Sequence, residues 1–223
     1  MPVSLPSAVL FDMDGLLVDT EPVWTVAEIE LADRLGSSWT PEIKAAVLGT
    51  RIGTAVPLIL TLLGQLPTPE LVAQTTTDLL ARMVELYEGE LAPLPGAMAL
   101  LAELQRSGVP VALVSSSFRV LVDAVVNRLG LSFDVTIAGD EVHHAKPHRE
   151  PYETACLRLA VDPRRAVVLE DSPAGVASGE AAGCAVVAVP SVAGVHPEPG
   201  PRRLVLTSLT ELDLAALRAL AAR

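Results

Sequence analysis

The chain has 223 residues, 50% of them hydrophobic and 19% charged. That suits one sizeable core, or a core with a small inserted domain, and excludes a disordered chain. A net charge of −11 with no basic run speaks against a nucleic-acid partner, and the apolar runs fall short of the ~20 residues of a membrane span.

The N-terminus, MPVSLPSAVLF, has no basic region before its apolar run, so no signal peptide is expected. Residues 8–11 are apolar throughout and read as a buried strand. The strand runs straight into Asp12, Asp14 and Gly15. Two carboxylates at such a place are costly unless a cation compensates them, and a divalent metal is the usual partner of clustered hard oxygens. Turn chemistry is the bland alternative for a bare DxDG.

Residues 20–90 show only helical periodicity. Trp24, Ala27, Leu31 and Leu35 share one face; so do Ile52, Val56, Ile59 and Leu63, and then Val72, Leu79, Met83 and Leu86. This predicts an all-helical insertion after the first strand, returning through the proline-stiffened linker APLPG at 92–96. From residue 96 onward helices and apolar strands alternate. Helices are predicted at 96–107, 120–129, 152–159 and 174–182. Strands are predicted at 109–114, 135–138, 166–169 and 185–189, with a short one at 204–206 before a C-terminal helix. VAGVHPEPGPRR, 192–203, reads as a surface loop. Apolar strands separated by helices imply a parallel sheet covered on both faces. The predicted organisation is an α/β core, residues 1–19 and 91–223, and a helical cap, residues 20–90.

Ligands of such a sheet sit beyond the carboxyl ends of its strands. Every polar cluster falls at such an end: Asp12 and Asp14, then Ser115, Ser116 and Ser117, then Lys146 in HHAKPHREP, then Glu170 and Asp171. They offer carboxylates for a metal, hydroxyls and N–H groups for an anion, and one ammonium. Lys146 is one of only two lysines; the other is Lys44. His143, His144 and His148 lack the spacing of zinc sites. Cys156 and Cys184 are neither motif-spaced nor part of a framework and are read as buried small hydrophobes in a reducing compartment.

DMDGLLVDTEP, VSSS, AKPHREPY and LEDSPAGV, in that order, resemble the four motifs of the haloacid-dehalogenase-like (HAD) phosphohydrolases, in the branch with a helical cap after the first strand. The resemblance covers almost the whole chain and implies a Rossmann-like core. DMDGLLVDTEPVW and LGTRIG are most similar to sugar-phosphate phosphatases of the 2-deoxyglucose-6-phosphate type. Beta-phosphoglucomutases are the alternative, although they look to carry a histidine where Trp24 stands. An inactive HAD-like binding module is a third reading. The second aspartate, Asp14, counts against dehalogenase and phosphonatase chemistry.

The resemblance implies that Asp12 is a nucleophile forming an aspartyl-phosphate and that Asp14 is the acid and base. Asp12, Asp171, Glu170 and the Asp14 backbone carbonyl would hold Mg2+; Ser115, Ser116 and Lys146 would hold the phosphoryl group. It also implies a cis Lys146–Pro147 bond. Glu21, Trp24 and Arg51 are the candidate specificity residues. The expected partner is a small phosphorylated molecule such as a sugar phosphate, and the expected protein is a cytoplasmic monomer that binds neither nucleic acid nor membrane.

Overall fold

A computed structural model of the chain describes residues 5–47, 50–89, 91–191 and 197–223. Leu48 and Gly49 of LGTRIG, Glu90 at the expected cap boundary, and 192–196 of the expected loop lie outside the described residues.

The core is a six-stranded parallel sheet. Its strands are β1 (Ala8–Phe11), β4 (Val111–Val114), β5 (Val135–Ile137), β6 (Ala166–Glu170), β7 (Ala185–Ala188) and β8 (Arg203–Val205). They lie in the order β5-β4-β1-β6-β7-β8. β1 is central, with Phe11 level with Leu113 on one side and Leu169 on the other. The chain builds outward from β1 through β4 to β5, then crosses back to β6 and builds the other way. The reversal lies beside β1, so the crevice at its carboxyl end is the expected ligand site.

Alternation along the strands sorts the apolar side chains into two layers. Val9, Phe11, Val111, Leu113, Val167, Leu169 and Val187 face one cluster, with residues of α5 (Ala97–Arg106), α6 (Arg119–Leu129) and α9 (Leu214–Ala221). Ala8, Leu10, Ala112, Val114, Val168 and Val186 face the other, with α7 (Glu150–Arg158) and α8 (Pro173–Ala181). Cys156 and Cys184 are buried in this second layer as free thiols, matching their reading as small hydrophobes. All four β1 residues have no exposed surface. At roughly 1.5–3 kcal/mol per large apolar side chain, such strands are the anchor of the fold.

The helical insertion comprises α1 (Glu21–Arg34), α2 (Pro41–Val47), α3 (Ile52–Leu62) and α4 (Pro69–Tyr87). It has a small core of its own from Leu31, Ala32, Ile43, Val47, Ile59 and Leu63. α4 packs on α1 and α3 within the cap and on α6 of the core. Its Thr68 cap accepts a hydrogen bond from the Leu71 N–H at 3.3 Å, and Pro69 opens the helix.

Two features escaped the sequence reading. α2 is seven residues long, too short to show periodicity. The two linkers are not separate strings: β2 (Val18–Asp19) and β3 (Ala92–Pro93) pair antiparallel, Val18 level with Pro93. A proline in β3 is tolerated because the ribbon has only two strands and so leaves an unpaired edge. No helix among the described residues is long and apolar enough to cross a membrane.

Candidate active site

The carboxyl ends of β1, β4 and β6 open into a cavity of about 790 Å³, roofed by the cap. Asp12, Asp14, Ser116, Ser117, Lys146 and Asp171 line it from the core; Glu21, Trp24, Lys44 and Arg51 line it from the cap. Residues spread over more than 150 positions thus meet in one chamber.

Asp12 follows β1, and its N–H donates to the Leu169 carbonyl at 3.0 Å, which ties it to β6. Lys146 Nζ donates to Asp12 Oδ1 at 2.6 Å, to Glu170 Oε1 at 2.7 Å and to the Val114 carbonyl at 2.8 Å. All three donors of the ammonium are used. Its stem lies on Tyr152, with Nζ 4.9 Å from the ring centroid. Burial pulls the Lys146 pKa down, but the carboxylates of Asp12 and Glu170 outweigh it and hold the ammonium above its ordinary value. The Lys146–Pro147 bond is cis, as the resemblance implied. Among the described residues no hydrogen bond reaches Asp12 Oδ2, which leaves that oxygen for the cavity.

Asp14 is held from three sides. Thr20 Oγ1 donates to Oδ1 at 2.8 Å, and Ser115 and Ser117 hydroxyls donate to Oδ2 at 3.0 and 2.9 Å. Burial raises its pKa, and those hydrogen bonds only partly oppose the rise. The turn between Asp14 and the ribbon depends on Gly15. Its φ is +84°, and a Cβ there would sit 2.3 Å from Asp171 Oδ2. Ser115 is buried: its hydroxyl serves Asp14 and accepts from the Ser117 N–H at 2.9 Å. It is therefore behind the cavity wall, while Ser116 and Ser117 line the cavity.

Glu170 also lies behind the wall. Oε1 accepts from Lys146 and, at 2.7 Å, from the Tyr152 hydroxyl. Oε2 accepts from the N–H groups of Asp171 and Ser172 and from the Ser172 hydroxyl, at 3.0–3.2 Å. The carboxylate fits because Gly175 has no side chain; a Cβ would come within 1.7 Å of Oε1. Asp171 reaches the cavity, and Ser191 donates to its Oδ2. Burial first, and then the Glu170 charge, push the Asp171 carboxyl up to about 7. Burial likewise raises Asp12 well above its usual range, against the pull of Lys146.

Oxygens of Asp12, Glu170 and Asp171 lie within 4.8 Å of one another, all buried. One ammonium contacts this group, and burial leaves its carboxylates under-compensated. A set of hard oxygens with a charge deficit fits a divalent cation. Glu170, with both oxygens engaged, contributes charge and orientation more readily than a direct bond.

On the cap, Trp24 is half-buried. It packs against the main apolar cluster and also lines the cavity. Arg51 lies at the seam between cap and core, where its guanidinium donates to the Gly139 carbonyl at 2.9 Å. Glu21 is exposed and pairs with Lys44 at 2.9 Å. Sequence reasoning missed Thr20, Glu28, Lys44 and Ser191 as site residues. Ser117 and Tyr152 stood inside quoted motifs without assigned roles, and Ser191 carried no signal at all.

A second group lies beside the same loop. His144, His148 and Glu150 bring ligand atoms within 4.8 Å of one another at the surface. Glu150 accepts from the N–H groups of His143 and His144, at 2.7 and 2.9 Å, and meets His144 Nδ1 at 2.8 Å. Its carboxylate is a brace for the loop that presents Lys146.

Residues 6–183 match the profile of the haloacid dehalogenase-like hydrolases. Hexitol phosphatase B of Escherichia coli (strain K12) is 32% identical over 213 residues, covering 92% of this chain and 93% of the relative. Hexitol phosphatase A of the same strain is 34% identical over 212 residues, covering 92% of each. The crystal structure of CbbY from Rhodobacter sphaeroides in complex with phosphate superposes with a TM-score of 0.83 at 34% identity, covering 96% of this chain and 99% of that one. With the four motif segments converging on one cavity and a match over most of its length, the chain belongs to the haloacid dehalogenase-like hydrolases.

Proposed function

We propose that the protein is a Mg2+-dependent phosphatase of small phosphorylated sugars or related phosphomonoesters, working through an aspartyl-phosphate. One observation carries the reading: Asp12 faces the cavity with one oxygen held by Lys146 at 2.6 Å and the other without a hydrogen bond among the described residues. A carboxylate held in that way is a positioned nucleophile. The similarity to two hexitol phosphatases supports a small phosphorylated carbohydrate as substrate.

Asp12 attacks phosphorus, and the bond from phosphorus to the leaving oxygen breaks. Asp14 gives that oxygen its proton. Water then attacks the phosphoryl group on Asp12, Asp14 takes the water's proton, and phosphate leaves with Asp12 restored. The Lys146 charge and the N–H and hydroxyl of Ser116 would meet the phosphoryl oxygens, while the Ser117 N–H and hydroxyl hold Ser115 and Asp14. Ser115 acts through Asp14 and Ser117. Asp12, Asp171 and the Asp14 backbone carbonyl would hold Mg2+, with Glu170 behind them. Bound there, the cation offsets the repulsion between carboxylate and phosphate.

The test is hydrolysis of p-nitrophenyl phosphate by the wild type and by Asp12→Asn, which keeps the shape and removes the charge. Turnover by the variant is expected to fall by at least about a thousandfold with the circular dichroism spectrum unchanged. Near-wild-type turnover by a folded variant would rule out the nucleophile.

A further inference from the structure

The cap wall of the cavity has a charge arrangement of its own. Lys44, on α2, reaches Glu21 at 2.9 Å and Glu28 at 3.0 Å. Both glutamates are on α1, seven positions apart, and so share one face two turns along. All three side chains line the cavity beside Trp24. Glu28 is 6% exposed. A buried carboxylate of this kind is kept ionised only by its partner, so Lys44 is committed to it. The remaining cap cation in the cavity, Arg51, is drawn to the seam by the Gly139 carbonyl.

The cap wall therefore has two carboxylates around one ammonium. A second phosphate or a carboxylate arriving there would face a net negative wall. At the third N–H of Lys44 it would lie against the charges of both Glu21 and Glu28. A neutral tail of hydroxyl groups meets no such cost. Its O–H groups donate to the free lone pairs of Glu21 and Glu28, and its oxygens accept from the third N–H of Lys44. Its C–H faces lie against the Trp24 ring. A cavity of about 790 Å³ has room for such a tail.

We infer that Glu21, Glu28 and Lys44 form a subsite for a neutral polyhydroxylated tail, selecting sugar or polyol monophosphates against bisphosphates and phosphorylated carboxylic acids. This rests on the phosphatase reading and sharpens it. The selection works partly by rejection, through charge rather than size.

The experiment compares kcat/KM for a hexitol monophosphate, a hexose bisphosphate, phosphoglycolate and p-nitrophenyl phosphate. It uses the full-length wild type, Glu28→Gln and Glu21→Gln. The wild type is expected to hydrolyse the hexitol monophosphate at least about tenfold better than either doubly anionic substrate, a gap of ~1.4 kcal/mol. Each variant removes one negative charge, so the bisphosphate-to-monophosphate ratio is expected to rise at least about threefold. Glu21 is half exposed, so Glu21→Gln keeps the test open should Glu28→Gln fail to fold. Hydrolysis of the aryl phosphate together with a preference for the bisphosphate or phosphoglycolate overturns this inference alone. So does a smaller rise of the ratio in folded Glu21→Gln. No hydrolysis of any of the four overturns the phosphatase reading and the inference with it.

Discussion

Lys146 is expected to be a structural cation as much as a phosphate ligand, and Lys146→Met separates the two roles. The side chain is 4% exposed and joins Asp12, Glu170 and the Val114 carbonyl at 2.6–2.8 Å. Methionine keeps the apolar stem on Tyr152 and removes the charge. Asp12 and Glu170 are then buried with no cation in contact. Deleting one partner of a buried ion pair costs about 3–5 kcal/mol. In a chain of this size each kcal/mol moves Tm by about 2–4 °C, so a fall of about 6–20 °C is expected in metal-free buffer at pH 7.

The pH dependence gives the sharper check. Without Lys146 the pull that lowers the Asp12 pKa is gone, so that carboxyl rises further above its ordinary 3.8. A carboxyl raised in the folded state is favourable while protonated, and the penalty appears as pH climbs through the folded pKa. The gap between wild type and variant should therefore narrow as pH falls from neutral through the raised Asp12 pKa toward its ordinary 3.8. Thermal unfolding by circular dichroism across that range measures it. A Tm change under about 2 °C, or a gap that stays constant with pH, would refute the role of Lys146 as the compensating charge.

Other outcomes are open to measurement. EDTA is expected to abolish p-nitrophenyl phosphate hydrolysis and Mg2+ to restore it; full activity in exhaustively chelated enzyme would exclude a metal role for the Asp12, Glu170 and Asp171 group. Trp24→Ala and Arg51→Ala should lower kcat/KM for sugar phosphates by about tenfold, and by much less for a minimal aryl phosphate, because an aryl phosphate offers the cap little to bind. Equal losses on every substrate would make both residues packing or seam residues only. Glu150 is held down to about 2, first by the His143 N–H and then by the His144 ring. Its stabilising effect is present above its ordinary 4.5 and is lost as pH falls toward about 2. Denaturant midpoints of wild type and Glu150→Gln should therefore differ at pH 7 and converge in acid; a constant offset would mean that Glu150 braces nothing.

The strand-helix order of the core was readable because buried parallel strands are apolar throughout and their helices end at glycines such as Gly130 and Gly183. The motif residues were readable because each follows such a strand. The cap was legible as helical but not in detail: α2 is too short for a period, and β2 with β3 is a pairing between residues more than 70 positions apart. Site residues far from a motif were invisible for the same reason. Glu28 reads as an ordinary polar position on a helix, and Ser191 as a loop serine.

What the sequence by itself determined was which chemical groups stand at the ends of which strands, because hydrophobic periodicity and strand-end polarity are local properties. Only the tertiary structure decided how those groups divide their work. It turned Asp14 onto Thr20, Ser115 and Ser117, closed Glu170 behind the wall, and committed Lys44 to two carboxylates. Hydrogen bonding and desolvation depend on what lies across space, and the residues across space here are far apart in the chain, by 134 positions in the case of Asp12 and Lys146.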